Sequence, residues 1–236
     1  NRKVCELFGV TQDAVAGRTD ADFFDTATTE RIRHNDLRVI RDGERVEEEE
    51  INRSVDGSDA RTYLSVKLPL RNPRGDVYAL CGISTDLTHH KQAEQAIHKL
   101  AFYDPLTQLP NRRLLLERIQ SALLSHSRDR QCGALLFIDV DNFKDLNDTM
   151  GHQMGDELLR QIAHRLATCI RAQDTLARQG GDEFVIMLQG LSVPLHDAVQ
   201  QARQVAEKIL LHMREPYVLE NQKYTSSVSI GVAMME

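Results

Sequence analysis

Paired cysteines are missing from this chain. Cys5, Cys81, Cys132 and Cys169 stand far apart with no repeated short spacing, which argues against a zinc site or a disulfide framework and for a reducing cytoplasm. Excess positive charge is missing too. Twenty-nine Lys and Arg face 35 Asp and Glu, a formal net charge of −6, so a broad basic surface for a nucleic-acid polymer is not expected. Any nucleotide handled here is a small one. No apolar run approaches membrane-spanning length and no signal peptide is visible, which leaves open an anchor upstream in a parent protein. Internal repeats and low-complexity tracts are absent as well. The 236 residues that are present are enough for one or two domains, each half being long enough for its own core.

The chemistry concentrates in Arg178, Gln179, Gly180, Gly181, Asp182, Glu183 and Phe184, followed by the apolar run Val185 to Leu188. Two adjacent glycines ahead of two carboxylates and a β-prone run predict a tight hairpin turn, because paired positive φ values are cheap only for Gly. Without side chains at Gly180 and Gly181, a large anionic ligand can reach the backbone N–H groups, and a carboxylate beside them can hold a divalent cation. Alone, such a turn is more often a plain surface hairpin. A second segment has matching chemistry: Leu135 to Ile138 is an apolar strand that runs into Asp139, Val140 and Asp141. Carboxylates at the end of a buried strand are costly unless they meet a cation or hydrogen-bond donors. Two acidic strand ends in one domain suggest a shared metal.

Phe137 to Lys144, then Asn147, Asp148, Gly151, His152, Gly155 and Asp156, and finally Arg178 with Gly180 to Phe184, resemble in register a GGDEF domain of the diguanylate cyclase family. The resemblance runs from about Asp104 to Glu236. It implies an α/β (α+β) fold similar to the palm of polymerases and nucleotidyl cyclases. The opening motif is Asp104 to Arg112, with Gln108 where the family usually has Gly, and Asn111 is expected to cap a helix over Arg112 to Ser125.

That resemblance implies Asp139, the backbone carbonyl of Val140 and the carboxylate of Asp182 as ligands of Mg2+ or Mn2+, with Glu183 assisting; hard oxygen donors and a triphosphate suit such an ion. It implies Lys144, at the start of a helix beside Phe143, on the terminal phosphates. Asn147 and Asp156 become guanine ligands, an amide and a carboxylate matching the donors and acceptors that guanine offers and adenine does not. Gly180, Gly181 and Arg178 lie close to the substrate in this reading. Two roles stay open for Asp141, a helix cap or a catalytic part. Arg171 and Asp174, three apart just upstream of the glycine turn, resemble the family's product-inhibition site and are expected to bind cyclic di-GMP. Met154, Leu158, Leu159, Ile162, Leu166 and Ile170 form a helical stripe of core residues. A helix over Val199 to Met213 and strands over Tyr217 to Leu219 and Thr225 to Met234 complete the reading.

Ahead of this lie a helical stretch from about Thr28 to Ile40 and three strand-like runs, Arg45 to Arg53, Arg61 to Arg71 and Val77 to Leu87. Together with the Leu7, Phe8, Gly9 turn, the Asp56, Gly57 turn and the stretches Gly17 to Phe24 and Gly82 to Thr88, they resemble a PAS sensory domain over residues 1–87. Its ligand stays open between a small polar metabolite and none. The cysteine motif of flavin-binding light sensors is not seen, and His34, between Arg33 and Asn35, reads as a solvated helix residue rather than a haem ligand. Glu47 to Glu50 alternate faces in a strand, which can turn at least one of them inward, and the main expectation is an exposed run that protects an edge. Over residues 88–103, apolar positions at three- and four-residue steps predict a linker helix whose narrow seam suits a two-stranded coiled coil, hence a homodimer. Residues 104–236 are the GGDEF domain. The PAS pattern has two further strands ahead of Asn1 and the GGDEF pattern a further helix after Glu236, so both are expected to continue.

The expected activity is condensation of two GTP into cyclic di-GMP and pyrophosphate, controlled by the PAS domain and by product, in the bacterial cytoplasm. The rival expectation is a non-catalytic module that binds GTP or cyclic di-GMP and regulates a partner or a following phosphodiesterase domain.

Overall fold

The computed structural model describes residues 2, 5, 10–54, 59–129, 132–192, 194–220 and 222–235. The expected Leu7, Phe8, Gly9 turn and the Asp56, Gly57 turn lie outside them. The chain divides into two compact units, Asn1–Ala96 and Ile97–Glu236. Among the described residues no helix is long and apolar enough to cross a membrane.

In the first unit, α1 (Gln12–Val15) and a 3-10 turn (Asp20–Asp22) precede α2 (Thr26–Leu37). Asp25 starts α2 by accepting the Thr28 N–H at 2.8 Å, the usual service of an N-cap carboxylate. The helix runs on as a π turn (Arg38–Asp42) and stops at Gly43, whose φ of +69° is left-handed. Strands β1 (Val46–Arg53), β2 (Ala60–Arg71) and β3 (Val77–Asp86) form an antiparallel sheet in that order. The run Glu47 to Glu50 is not wholly exposed as expected. Strand alternation turns Glu48 and Glu50 inward, and Glu50 is only 3 % exposed. An inward carboxylate is tolerable here because Asn35 Nδ2 donates to Glu50 at 3.0 Å and to Glu48 at 3.1 Å. His34 is exposed.

Helix α3 (Thr88–Phe102) occupies the expected linker and carries the division between the two units. Ile97 and Leu100 of its apolar seam are exposed. The second unit continues through α4 (Arg112–Asp129), β4 (Cys132–Val140), α5 (Phe143–Met150), α6 (His152–Cys169), β5 (Thr175–Gly180), β6 (Glu183–Leu191), α7 (Leu195–Met213), β7 (Tyr217–Leu219), β8 (Gln222–Tyr224) and β9 (Val228–Met235). Strands β5-β6-β4-β9 make one sheet, antiparallel throughout. With helices between β4 and β5 and between β6 and β9, this is the βαββαβ plan of ferredoxin-like sheets.

Period-two alternation divides β4 between two cores. Leu136, Ile138 and Val140 pack with Leu158, Ile162 and Ile209 in the larger core. On the opposite face, α4 brings Leu115 and Ala122 against Ala177, Val185 and Met187. On that second face of β4 Leu135 packs against the cluster while Phe137 is 47 % exposed, so the strand is covered throughout on one face only and opens toward the end that carries Asp139.

Candidate active site

Strand pairing sets the site. Asp139 stands directly opposite Glu183 of β6 on one side and Ser229 of β9 on the other. The turn from β5 to β6 holds Gly180 at φ +146° and Gly181 at φ +53°, values that a side chain rarely allows. A Cβ at either glycine would meet nothing within 4 Å. Conformation rather than crowding therefore calls for glycine here, and the backbone is open to a ligand. A cleft of about 530 Å³ lies at this sheet end, lined by Phe137, Asp139, Gln179, Glu183, Ser229 and Gly231.

The side chains of Asp139, Asp182 and Glu183 make no hydrogen bond or ion pair among the described residues. The Asp139 carboxyl is pushed above the ordinary carboxylate range by burial first, and then by the negative charges of Asp182, Glu183 and Asp141. Negative charges that bear on Asp139 in this way suit the neighbourhood of a cation. No three His, Cys, Asp or Glu side chains among the described residues converge into a ready-made cage. Magnesium does not require one, since it commonly takes one or two carboxylates and fills its shell with water and phosphate oxygens. The donor set at the ends of β4 and β6 fits such an ion.

Asp141 does not take the capping role left open for it. The residue that caps α5 is Asn142, at φ +57° and with no side-chain cap bond. Asp141 instead accepts hydrogen bonds from the hydroxyls of Ser227 and, at 2.7 Å, Ser229. Its carboxylate ties the end of β4 to the start of β9.

Arg178 is likewise engaged within the protein. Its Nη1 donates to both oxygens of Asp104 at 2.9 and 3.0 Å, while Nε and Nη2 donate to the Gly181 carbonyl at 3.0 and 2.7 Å. The Arg178 and Asp104 side chains are 10 % and 14 % exposed. Burial works against the Asp104 charge, but the Thr107 hydroxyl and N–H and then Arg178 outweigh it, so its carboxyl is held below the usual range. Arg178 thus clamps the glycine turn to the motif that opens the domain.

On α5, Lys144 is exposed, and Phe143 packs against the larger core. Asn147 is half-buried, and its Oδ1 is buried with no hydrogen-bond partner. Asp156 is exposed on α6. Neither Lys144 nor Asp156 forms a hydrogen bond or ion pair among the described residues. Arg171 is exposed, while the Asp174 carboxylate accepts the Arg171 N–H at 2.9 Å and the Gln189 N–H at 3.2 Å. A second cleft, of about 270 Å³, lies beside them and includes Gln201 and Lys208.

Sequence reasoning missed the clamp between Asp104 and Arg178, the hold of Ser227 and Ser229 on Asp141, and any role for Gly155. No local spacing signals a pair 74 positions apart. A glycine inside a helix, by contrast, is a visible signal.

A ferredoxin-like sheet that ends in carboxylates without side-chain partners beside a bare glycine turn has the chemistry to take an anionic ligand and a cation. Residues 101–236 match the family model described as diguanylate cyclase, GGDEF domain, and residues 1–92 match the PAS fold. The chain belongs to the GGDEF diguanylate cyclase family, with a PAS fold ahead of the GGDEF domain. It is 33 % identical over 223 residues to a diguanylate cyclase of Vibrio cholerae, covering 94 % of this chain and 68 % of that protein. It is 40 % identical over 143 residues to the bifunctional diguanylate cyclase/cyclic di-GMP phosphodiesterase MucR of Pseudomonas aeruginosa, covering 61 % of this chain but spanning only 20 % of MucR's length. A solved TpbB of Pseudomonas aeruginosa comprising only the GGDEF domain is 38 % identical with a TM-score of 0.52, and the match covers 56 % of this chain and 74 % of that one.

Proposed function

We propose that this chain joins two GTP molecules into cyclic di-GMP with release of two pyrophosphates. The observation that carries the reading is the row of Asp139, Asp182 and Glu183, unpartnered at adjoining strand ends beside an open glycine turn. Asn147 and Asp156 take the guanine base. Lys144 and the N–H groups at the start of α5 meet the terminal phosphates, where a helix N-terminus favours anions. Each ribose 3′-oxygen attacks the α-phosphorus of the other nucleotide. A new P–O bond forms as the bond to pyrophosphate breaks, and the hydroxyl proton passes to a carboxylate of the site.

Asp139, the Val140 carbonyl and Asp182 are the candidate holders of Mg2+ or Mn2+, and the register adds Glu183, which faces Asp139 directly. When bound, such an ion supplies positive charge against the triphosphate and the developing pentavalent phosphorus. One site carries half of the reaction, so two protomers must face one another. In this reading the linker helix α3 pairs the protomers, the PAS unit sets their geometry, Arg171 and Asp174 take the product, and the enzyme works in the bacterial cytoplasm.

The test is mass-spectrometric detection of cyclic di-GMP after incubation with GTP and magnesium, beside Asp182→Ala. Product from the wild type and none from the variant is the expected result. GTP binding without product across a range of protein concentrations would leave a nucleotide-binding module.

A further inference from the structure

Gly155 lies in the first turns of α6 and is buried. Glycine is disfavoured inside a helix relative to Ala, and Gly155 is not among the residues with positive φ, so backbone conformation does not explain it. Space does. A Cβ at this position would stand 2.0 Å from Asn147 Oδ1, 3.0 Å from Asn147 Cγ and 3.1 Å from Phe143 Cζ. The room left by the missing side chain is filled by the Asn147 carboxamide, reaching across from α5. Its Oδ1 is buried there without a donor, an arrangement that is unfavourable in itself. Two locally unfavourable features therefore meet at one contact between α5 and α6.

We infer that Gly155 is a positioning residue for base recognition: its bare Cα lets the Asn147 amide lie against α6 with Oδ1 inward, which directs the Nδ2 donors outward to an acceptor on the base. This rests on the assignment of Asn147 to guanine. A methyl group at 155 would displace the far end of Asn147, the cheapest part to move, and would spoil base binding before it disturbed the carboxylates on β4 and β6. Since Asn147 is the main obstacle, truncating it removes most of the collision.

A double-mutant cycle on the whole chain tests this, with affinity read by equilibrium dialysis, in magnesium, of 3′-deoxy-GTP, which lacks the attacking hydroxyl and cannot turn over, and kcat and KM read with GTP and magnesium. Asn147→Ala and Gly155→Ala should each weaken GTP binding about tenfold or more, as expected for a lost or misplaced polar contact. Gly155→Ala should act on KM with kcat nearly unchanged. The double variant should bind like Asn147→Ala alone. Should Gly155→Ala fail to fold, recovery of a cooperative melt in the double variant supports the inference and no recovery counts against it. Wild-type-like binding by Gly155→Ala, or effects that multiply in the double variant, overturn it while leaving the guanine assignment intact. Full GTP affinity in Asn147→Ala, or no GTP binding by the wild type, overturns both.

Discussion

In the first unit the Lys67 side chain is 9 % exposed, and its ammonium meets Asp36 at 2.7 Å and Glu50 at 3.9 Å. In the second, Asp139, Asp182 and Glu183 sit at strand ends without a cationic side-chain partner among the described residues, and burial, then the neighbouring negative charges, raises the Asp139 carboxyl. The sheets differ in the same sense. The first turns Glu50, Asn52, Ser65 and Lys67 into its interior and leaves Ile51, Leu68 and Ile83 exposed, whereas the second keeps Leu136, Ile138 and Phe184 inside. A buried charge with a partner adds little net stability over an apolar residue, but losing that partner is severe. A cluster of partly open charges without partners has the opposite signature, because neutralising one of them relieves repulsion. The difference separates charges held by partners within the fold from charges left without a side-chain partner among the described residues.

Removing the cation is expected to have the largest effect. Excess EDTA should lower cyclic di-GMP formation about a thousandfold or more, the scale of several kcal/mol of lost charge stabilisation, with little change in the melting midpoint; undiminished product would contradict the proposed site. Next, Lys67→Met takes the cation from the buried Glu50 and the partly exposed Asp36 and should destabilise the first unit by about 3–5 kcal/mol, while adding Glu50→Leu should recover much of that. Denaturant midpoints check both, and a silent Lys67→Met would erase the contrast between the units.

Asp104→Asn should destabilise the second unit by about 3 kcal/mol, because Arg178 keeps its buried charge. The folded-state pKa of Asp104 lies below its ordinary 3.8, so its contribution is present in full above that value and is lost as pH falls through the depressed one. The gap between wild type and variant, measured by urea unfolding, should be constant at neutral pH and close in that acid range. The smallest effect concerns Gln108, a non-glycine residue at φ +59°. Gln108→Gly should raise stability by about 0.5–1 kcal/mol by removing left-handed strain, and a lower melting temperature would contradict that.

Local patterns carried most of the second unit. The glycine turn, the apolar run into Asp139 and the stripe from Leu158 to Leu166 each act over a few residues, and period and turn chemistry report such features directly. Arg178 shows the limit: its motif position is visible, but its partner Asp104 lies in another segment and is found only when the chain folds. Glu50 shows another. Its neighbours suggested an exposed acidic edge, but strand alternation turned it inward, where Asn35 and Lys67 from distant segments meet it. The hold on Asp141 was missed because its donors, Ser227 just ahead of β9 and Ser229 within it, lie 86 and 88 positions away.

Asp139→Asn tests the central claim most directly, with cyclic di-GMP formation and thermal stability measured on the same preparation. Product should fall to background while the melting temperature holds or rises, since the substitution removes a charge that its neighbours oppose. Retained product, or a collapse of the fold, would contradict the reading of Asp139 as part of a reaction centre.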